Sequence, residues 1–227
     1  MKWLTFSILI LLISCAEKTK IPPDGQLVTL VGDVNISGKA ARIEMNVPAG
    51  SEIVTGSNSY TEIVFNKKNI IRIMENSDVI LNLSLIDKIL VVKKGSLESV
   101  MRNLNPDKKK DNSPFKIESS TAAAAVRGTT FFVMVDNHSN TAICVCNGVL
   151  NLGSPGETNR FDVSSCHHSG VYFTKTSNGF TYQTIDSKPV VDNAEMKKTA
   201  GHNDLELEDL AGKIGEKIDW TKIDKKD

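Results

Sequence analysis

From Leu27 to about Thr184 apolar residues recur at every second position in short runs, each closed by turn-forming residues. The strand-length runs are Leu27–Val31, Ala41–Met45, Thr61–Phe65, Ile70–Met74 and Lys88–Val92, then Leu97–Met101, Phe115–Glu118, Thr130–Val135, Thr141–Cys146 and Val171–Phe173. They are rich in Ile, Val, Phe and Thr, which suit a pleated, half-buried surface. Ser37-Gly38, Pro48-Ala49-Gly50, Thr55-Gly56-Ser57, Lys94-Gly95, Asn147-Gly148 and Ser154-Pro155-Gly156 punctuate them. No long helices alternate with the runs, so a parallel doubly wound sheet is excluded. An all-β antiparallel sandwich, jelly roll or barrel is expected. Asn103 to Pro114, with Lys108-Lys109-Lys110 flanked by Asp107 and Asp111, reads as a solvated loop crossing between two halves of the sheet.

The pattern changes near the C-terminus. Leu207, Leu210, Ala211, Ile214 and Ile218 share one face of a helix. Asn203 is its expected N-cap, with Glu206 three residues on. Gly212 and Gly215 make such a helix marginal alone, so it either packs on the sheet or docks on a partner. The tail from Thr221 is charged. Lys+Arg and Asp+Glu each number 27, and this balance argues against a nucleic-acid partner, whose phosphates call for excess cations.

The first residues set the compartment. Lys2 precedes an almost unbroken apolar run, Leu4–Ile13, which as a helix spans about 15 Å, half of a bilayer core. This is the centre of a signal peptide rather than a membrane span. Leu12-Ile13-Ser14-Cys15 resembles the bacterial lipobox, in which the cysteine thiol takes a diacylglycerol before cleavage. The expected organisation is therefore a signal peptide over 1–14, acylated Cys15 and a linker over 15–26, and a β domain over 27–185. A linker, helix and charged tail complete the chain over 186–227. The expected location is the cell envelope, exported and held to a membrane by the N-terminal lipid.

Three stretches resemble the FecR domain family. Val47 to Ser59 carries Gly50, the Thr55-Gly56 pair and Ser59 ahead of the strand Thr61–Phe65, with Ile70–Ile73 as its hairpin partner. Thr121 to Val133 carries an alanine-rich approach to Arg127-Gly128-Thr129, and Thr141 to Val149 resembles the closing strand, turn and strand. The resemblance covers about residues 45–152. It implies a jelly-roll-like β-sandwich without catalytic activity, lying outside the inner membrane. In the best-known members this domain relays occupancy of an outer-membrane iron–siderophore receptor to an anti-sigma activity. This sequence shows no cytoplasmic module and no transmembrane helix for such a relay. What the resemblance leaves is a sensing or interaction module with an envelope protein as partner. From the residues themselves, Gly56 and Gly128 suit turns with positive φ or close backbone approach. Arg127 suits either a tie to loop carbonyls at a sheet corner or an anion contact in a groove. The four-alanine run is too short for an isolated helix and permits tight packing.

Beyond Cys15, thiols remain at Cys144, Cys146 and Cys166, the last followed by His167 and His168. Cys144 and Cys146 share a face of one strand, with Cα atoms about 6.6 Å apart and nearly parallel Cβ directions, poor geometry for a mutual disulfide. Asn147-Gly148 is expected to turn the chain as a type I′ hairpin, and after the Ser154-Pro155-Gly156 turn and a strand near Phe161, Cys166-His167-His168 can return beside the pair. Three readings stay open: a disulfide from Cys166 to Cys144 or Cys146, a Cys/His site for zinc or another transition metal, or free thiols with solvated histidines. A metal- or haem-binding lipoprotein and a purely structural envelope lipoprotein are thus the alternatives to the interaction module. The sequence carries no G-x-S-x-G, H-E-x-x-H or P-loop pattern, and His138 lies in the polar loop Asp136–Asn140, so no enzyme is expected.

Overall fold

The computed structural model describes residues 25–84, 88–102, 114–185 and 203–223. The signal segment, Cys15, nearly all of the linker and the 103–113 segment lie outside the described residues. The chain is all-β with one short described helix. Its strands are β1 (Gln26–Val31), β2 (Val34–Ile36), β3 (Lys39–Ala40), β4 (Ser51–Thr55), β5 (Tyr60–Phe65), β6 (Asn69–Ile73), β7 (Asp78–Leu83) and β8 (Lys88–Met101). They continue as β9 (Phe115–Glu118), β10 (Ala123–Val126), β11 (Thr130–Val135), β12 (Thr141–Gly153), β13 (Phe161–Ser165), β14 (Ser169–Thr176) and β15 (Gly179–Ile185), followed by α1 (Asp204–Lys213).

Two long strands organise everything else. The first part of β8 pairs with β7 and β9, and its second part with β6 and β11. Likewise β12 pairs first with β11 and β14, then with β10 and β13. The ladder β8–β9–β10–β12–β11 therefore returns to β8, a barrel-like closed sheet with wings. One wing runs β6–β5–β1, a second β7–β4–β2–β3, and a third β14–β15. Closure removes strand edges from the centre of the molecule. A single apolar core fills the interior, with Phe115, Phe131 and Phe173 wholly buried and the rings of Phe65 and Phe115 6.0 Å apart.

Both long strands bend at glycine, and here the structure corrects the sequence reading. Lys94-Gly95 and Asn147-Gly148 are corners inside continuous strands, so the expected type I′ hairpin does not form. Gly95 has φ +84°, and a Cβ there would lie 2.2 Å from Ser77 Oγ and 2.5 Å from Ser77 Cα. Gly148 has φ +121°, with Thr129 Cα and Oγ1 at 3.1 Å from such a Cβ. A turn signal and a corner signal are the same residue type, because both demand a backbone that a side chain forbids.

Other differences have comparable causes. Ala41–Met45 forms no strand: Glu44 sits at φ 65° and its amide donates to Leu27 O, so the segment loops back onto β1. The alanine run forms β10, held between β9 and β12 despite low strand propensity. Among the described strands the antiparallel expectation holds for every pair but one, since β8 and β9 run parallel. The helix begins and packs on the sheet as its sequence suggests, but Gly215 at φ 70° follows its end, leaving Ile218 outside the helix while still against the same sheet face.

Candidate functional site

Strand register places one row of side chains across the outer face of the sheet beneath α1. Directly opposed residues run Thr29 (β1), Glu62 (β5), Arg72 (β6), Glu98 (β8), Phe132 (β11), Cys144 (β12) and Gly170 (β14). Cross-strand neighbours in register share a face, so this row is a continuous stripe. The helix lies along it. Leu207 joins Phe132, Met134, Cys144 and Cys146 in one buried apolar cluster, and Leu210 and Ala211 join Ile70 and Val100 in another.

One end of the stripe is ionic. Arg72 Nε donates to Glu62 Oε1 at 2.8 Å, and its terminal nitrogens reach Glu98 Oε2 at 3.3 Å and Asp209 Oδ2 at 3.1 Å. From the helix, Lys213 Nζ donates to both Glu62 oxygens at 2.9 and 2.8 Å. The Thr29 hydroxyl also donates to Glu62. Burial alone would raise the Glu62 pKa, but Lys213, Thr29 and Arg72 together hold its carboxyl below the usual range. Glu98 goes the other way: burial, with Glu206 facing it, pushes it up to about 7 against the pull of Arg72. Arg72 is shared among Glu62, Glu98 and Asp209, and Lys213 reaches Glu62 and Asp209 but not Glu98, so Glu98 has the weaker share of positive charge. Glu98 Oε1 and Glu206 Oε2 are both buried with no hydrogen-bond partner.

The other end is sulfur and imidazole. Cys144 Sγ lies 3.8 Å from Cys146 Sγ and 3.4 Å from His168 Nδ1. His168 reaches the strand pair from the β13–β14 turn, where its φ is 52° and its amide donates to Cys146 O. Its Nε2 lies 2.8 Å from Asp204 Oδ1, and His167 Nε2 lies 2.9 Å from Asp204 Oδ2, so the first helical residue holds both rings. Trp220 stacks on His168 with centroids 5.6 Å apart, and its indole N–H donates to Glu208. Burial pulls the His168 pKa down, but Cys144 and Asp204 more than offset it, leaving it pushed up to about 9. Burial drives the Cys146 thiol well above its ordinary value, with Cys144 adding to the effect.

Of the cysteines and histidines singled out from sequence, Cys144, Cys146 and His168 come together, and His167 joins through Asp204. None of the three described cysteines is in a disulfide. Cys166 carries no bond to the others, and its carbonyl accepts from Asn147 Nδ2. Asp204 and Trp220 were missed: they lie more than thirty residues away in sequence, and nothing local ties them to a Cys/His cluster. The ionic stripe was missed too, although Glu62, Arg72 and Glu98 are charges inside otherwise apolar strands.

The remaining singled-out residues shape turns and corners. Ser51 Oγ donates to Pro48 O across the turn holding Gly50, whose φ is +77°. Thr55 Oγ1 donates to Met74 O and accepts from Ser77 N, tying β4 to the β6–β7 turn. Ser59 Oγ accepts from Asp33 N. Gly56 has no positive φ, and its amide donates to Asp33 O. Gly128 has φ +71°, and Thr129 Oγ1 donates to Val149 O, clamping the Gly148 corner. Arg127 is exposed and lines a groove of about 510 Å³ on the opposite outer face, floored by Ala123–Ala125 and flanked by Lys116, Arg160 and Asp162.

Residues 51–151, somewhat under half of the chain, match the family model described as FecR protein. Among solved structures, the chain is similar to two crystal structures of a candidate anti-sigma factor from Parabacteroides distasonis ATCC 8503, at 1.65 and 2.50 Å resolution. TM-scores are 0.47 and 0.45 and identities 14% and 16%. Each match covers 61% of this chain and 62% of the other, so the chain spans less than two thirds of those proteins' length. No curated protein matches the chain.

Proposed function

We propose that this chain is a non-catalytic, lipid-anchored protein of the cell envelope whose FecR-like β domain is a protein-interaction and sensing module in signalling. The match over residues 51–151 carries the reading. Two features of the molecule support it. The residues shared with the family, Gly50, Thr55, Ser59, Gly128 and Thr129, fix turns and a sheet corner rather than assembling a reactive constellation. In addition, no described helix is long and apolar enough to cross a membrane, so attachment falls to Cys15 in this reading. The alanine-floored groove beside Arg127 offers the partner an uncovered face.

The test uses the full chain expressed in a bacterial envelope. Labelled palmitate should appear on the wild type and not on Cys15→Ser. A photoreactive residue in place of Lys116 should give one discrete protein adduct that Arg127→Ala weakens. An unlabelled wild type would overturn the anchoring, and only diffuse adducts insensitive to Arg127 would overturn the interaction reading.

A further inference from the structure

We infer that Cys144, Cys146 and His168 form a binding site for a single Zn(II) ion, with Asp204 as the group that orients the histidine. Zinc binds thiolate sulfur at about 2.3 Å and imidazole nitrogen at about 2.0–2.1 Å. A tetrahedral arrangement at those lengths separates two sulfurs by about 3.8 Å and a sulfur from a nitrogen by about 3.5 Å. The observed separations are 3.8 Å between Cys144 Sγ and Cys146 Sγ and 3.4 Å between Cys144 Sγ and His168 Nδ1. All three ligand atoms lie within 4.8 Å of one another. Two edges of the tetrahedron are thus already drawn.

The surroundings match what a metal-binding histidine needs. Its outer nitrogen, Nε2, faces Asp204 Oδ1 at 2.8 Å. A proton held there leaves Nδ1 with its lone pair toward the sulfurs, the carboxylate–histidine–metal arrangement that fixes both tautomer and ring direction. Trp220 stacked on the ring restricts it further. His168 adopts a left-handed backbone, uncommon for a residue with a side chain, and this conformation aims its ring at the strand pair. A disulfide between the two cysteines is a poorer use of the same sulfurs, since i, i+2 strand positions hold Cβ atoms nearly parallel. Cys166 stands outside the cluster, so the site takes two of the three described thiols.

Binding Zn(II) displaces to solvent the two thiol protons and the proton that His168 Nδ1 carries at neutral pH, Nδ1 then donates its lone pair, and a water completes the fourth position. The ligands come from β12 and the β13–β14 turn, and their orienting carboxylate comes from the first residue of α1. Metal binding therefore also fastens the helix to the sheet.

The experiment starts from full-length protein purified in detergent with reductant and stripped of metal by chelator. Added Zn(II) should bind at one equivalent per chain, and Co(II) should give thiolate charge-transfer absorption with tetrahedral visible bands. Cys144→Ser, Cys146→Ser and His168→Ala should abolish both, while Cys166→Ser binds as the wild type does. Asp204→Asn, which removes no ligand atom, should bind with affinity lowered 10–100-fold. Circular dichroism of every variant separates loss of a ligand from loss of the fold. Less than about 0.1 equivalent of zinc, no cobalt–thiolate band, or an equal loss in Cys166→Ser would overturn the site. None of these results touches palmitate labelling or the groove adduct, so this proposal and the interaction reading fail independently.

Discussion

The two outer faces of the closed sheet are built by different rules. On the face away from the helix, strands alternate: every second residue of β7 and β9 is buried, and the residues between reach water. Beneath α1, every residue of β6 and β11 and the first eight of β12 are buried. A ten-residue helix covers about 15 Å, the width of three strands, which is the reach needed from β6 to β11. The open face carries its charges into solvent, where pairing contributes little. The covered face takes Glu62, Arg72 and Glu98 out of water, so each must be matched by a group on a neighbouring strand or on the helix. A continuous apolar run with charges embedded at one register position is therefore the mark of a strand whose outer face is capped.

The largest effect expected from this contrast is at Arg72. Arg72→Ala leaves Glu62 and Glu98 buried on either side of β6 with one fewer countercharge, and should cost about 3 kcal/mol in urea unfolding. On the open face, Lys93 pairs with Glu52 and Asp78, all three side chains being partly exposed. Lys93→Ala should leave the midpoint where it was. Equal losses at the two positions would remove the distinction between the faces.

What could be read from the chain, and what could not, follows the same division. An alternating segment such as Phe115–Glu118 announced itself, and so did the helix, because its period and the Asn203 cap are local. The corners at Gly95 and Gly148 were legible as backbone events but not as bends, since whether a glycine reverses a strand or kinks it depends on Ser77 and Thr129 packing against it. Within the sulfur cluster, the i, i+2 spacing placed Cys144 and Cys146 on one face. Which of Cys166, His167 and His168 returns to them depends on the left-handed backbone at His168, a choice made by tertiary contacts.

The pH dependence of stability sharpens the comparison next. Glu98, pushed up to about 7 from an ordinary 4.5, binds its proton more tightly in the folded chain. Its contribution is full below pH 4.5 and is lost as pH rises from 4.5 to 7, roughly 3 kcal/mol for a displacement of that size. Glu62 has the opposite sign. Its carboxyl is held low, so its contribution is present above the ordinary glutamate range and is lost as pH falls through it. Stability should therefore be greatest near pH 5, and Glu98→Gln should flatten the decline between pH 5 and 7 while leaving the acid limb intact. A decline unchanged in Glu98→Gln would place the titrating group elsewhere.

The smallest effect tests whether the helix behaves as a cap over the face or as one unit with the whole sheet. Asn203 Oδ1 accepts from Glu206 N at 3.0 Å, closing the first turn of α1, with Asp204 and Glu206 adding negative charge where the helix dipole favours it. Asn203→Ala should cost about 1 kcal/mol and Asn203→Gly only a few tenths, because glycine keeps the backbone free to turn while losing the side-chain acceptor. Hydrogen exchange locates the loss. If α1 opens as a local unit, amides of Leu207, Leu210 and Ala211 exchange faster in Asn203→Ala while those of β4 and β7 on the open face keep their rates. Uniform acceleration across both faces would mean that the covering helix and the sheet unfold together, and that the two faces differ in composition but not in stability.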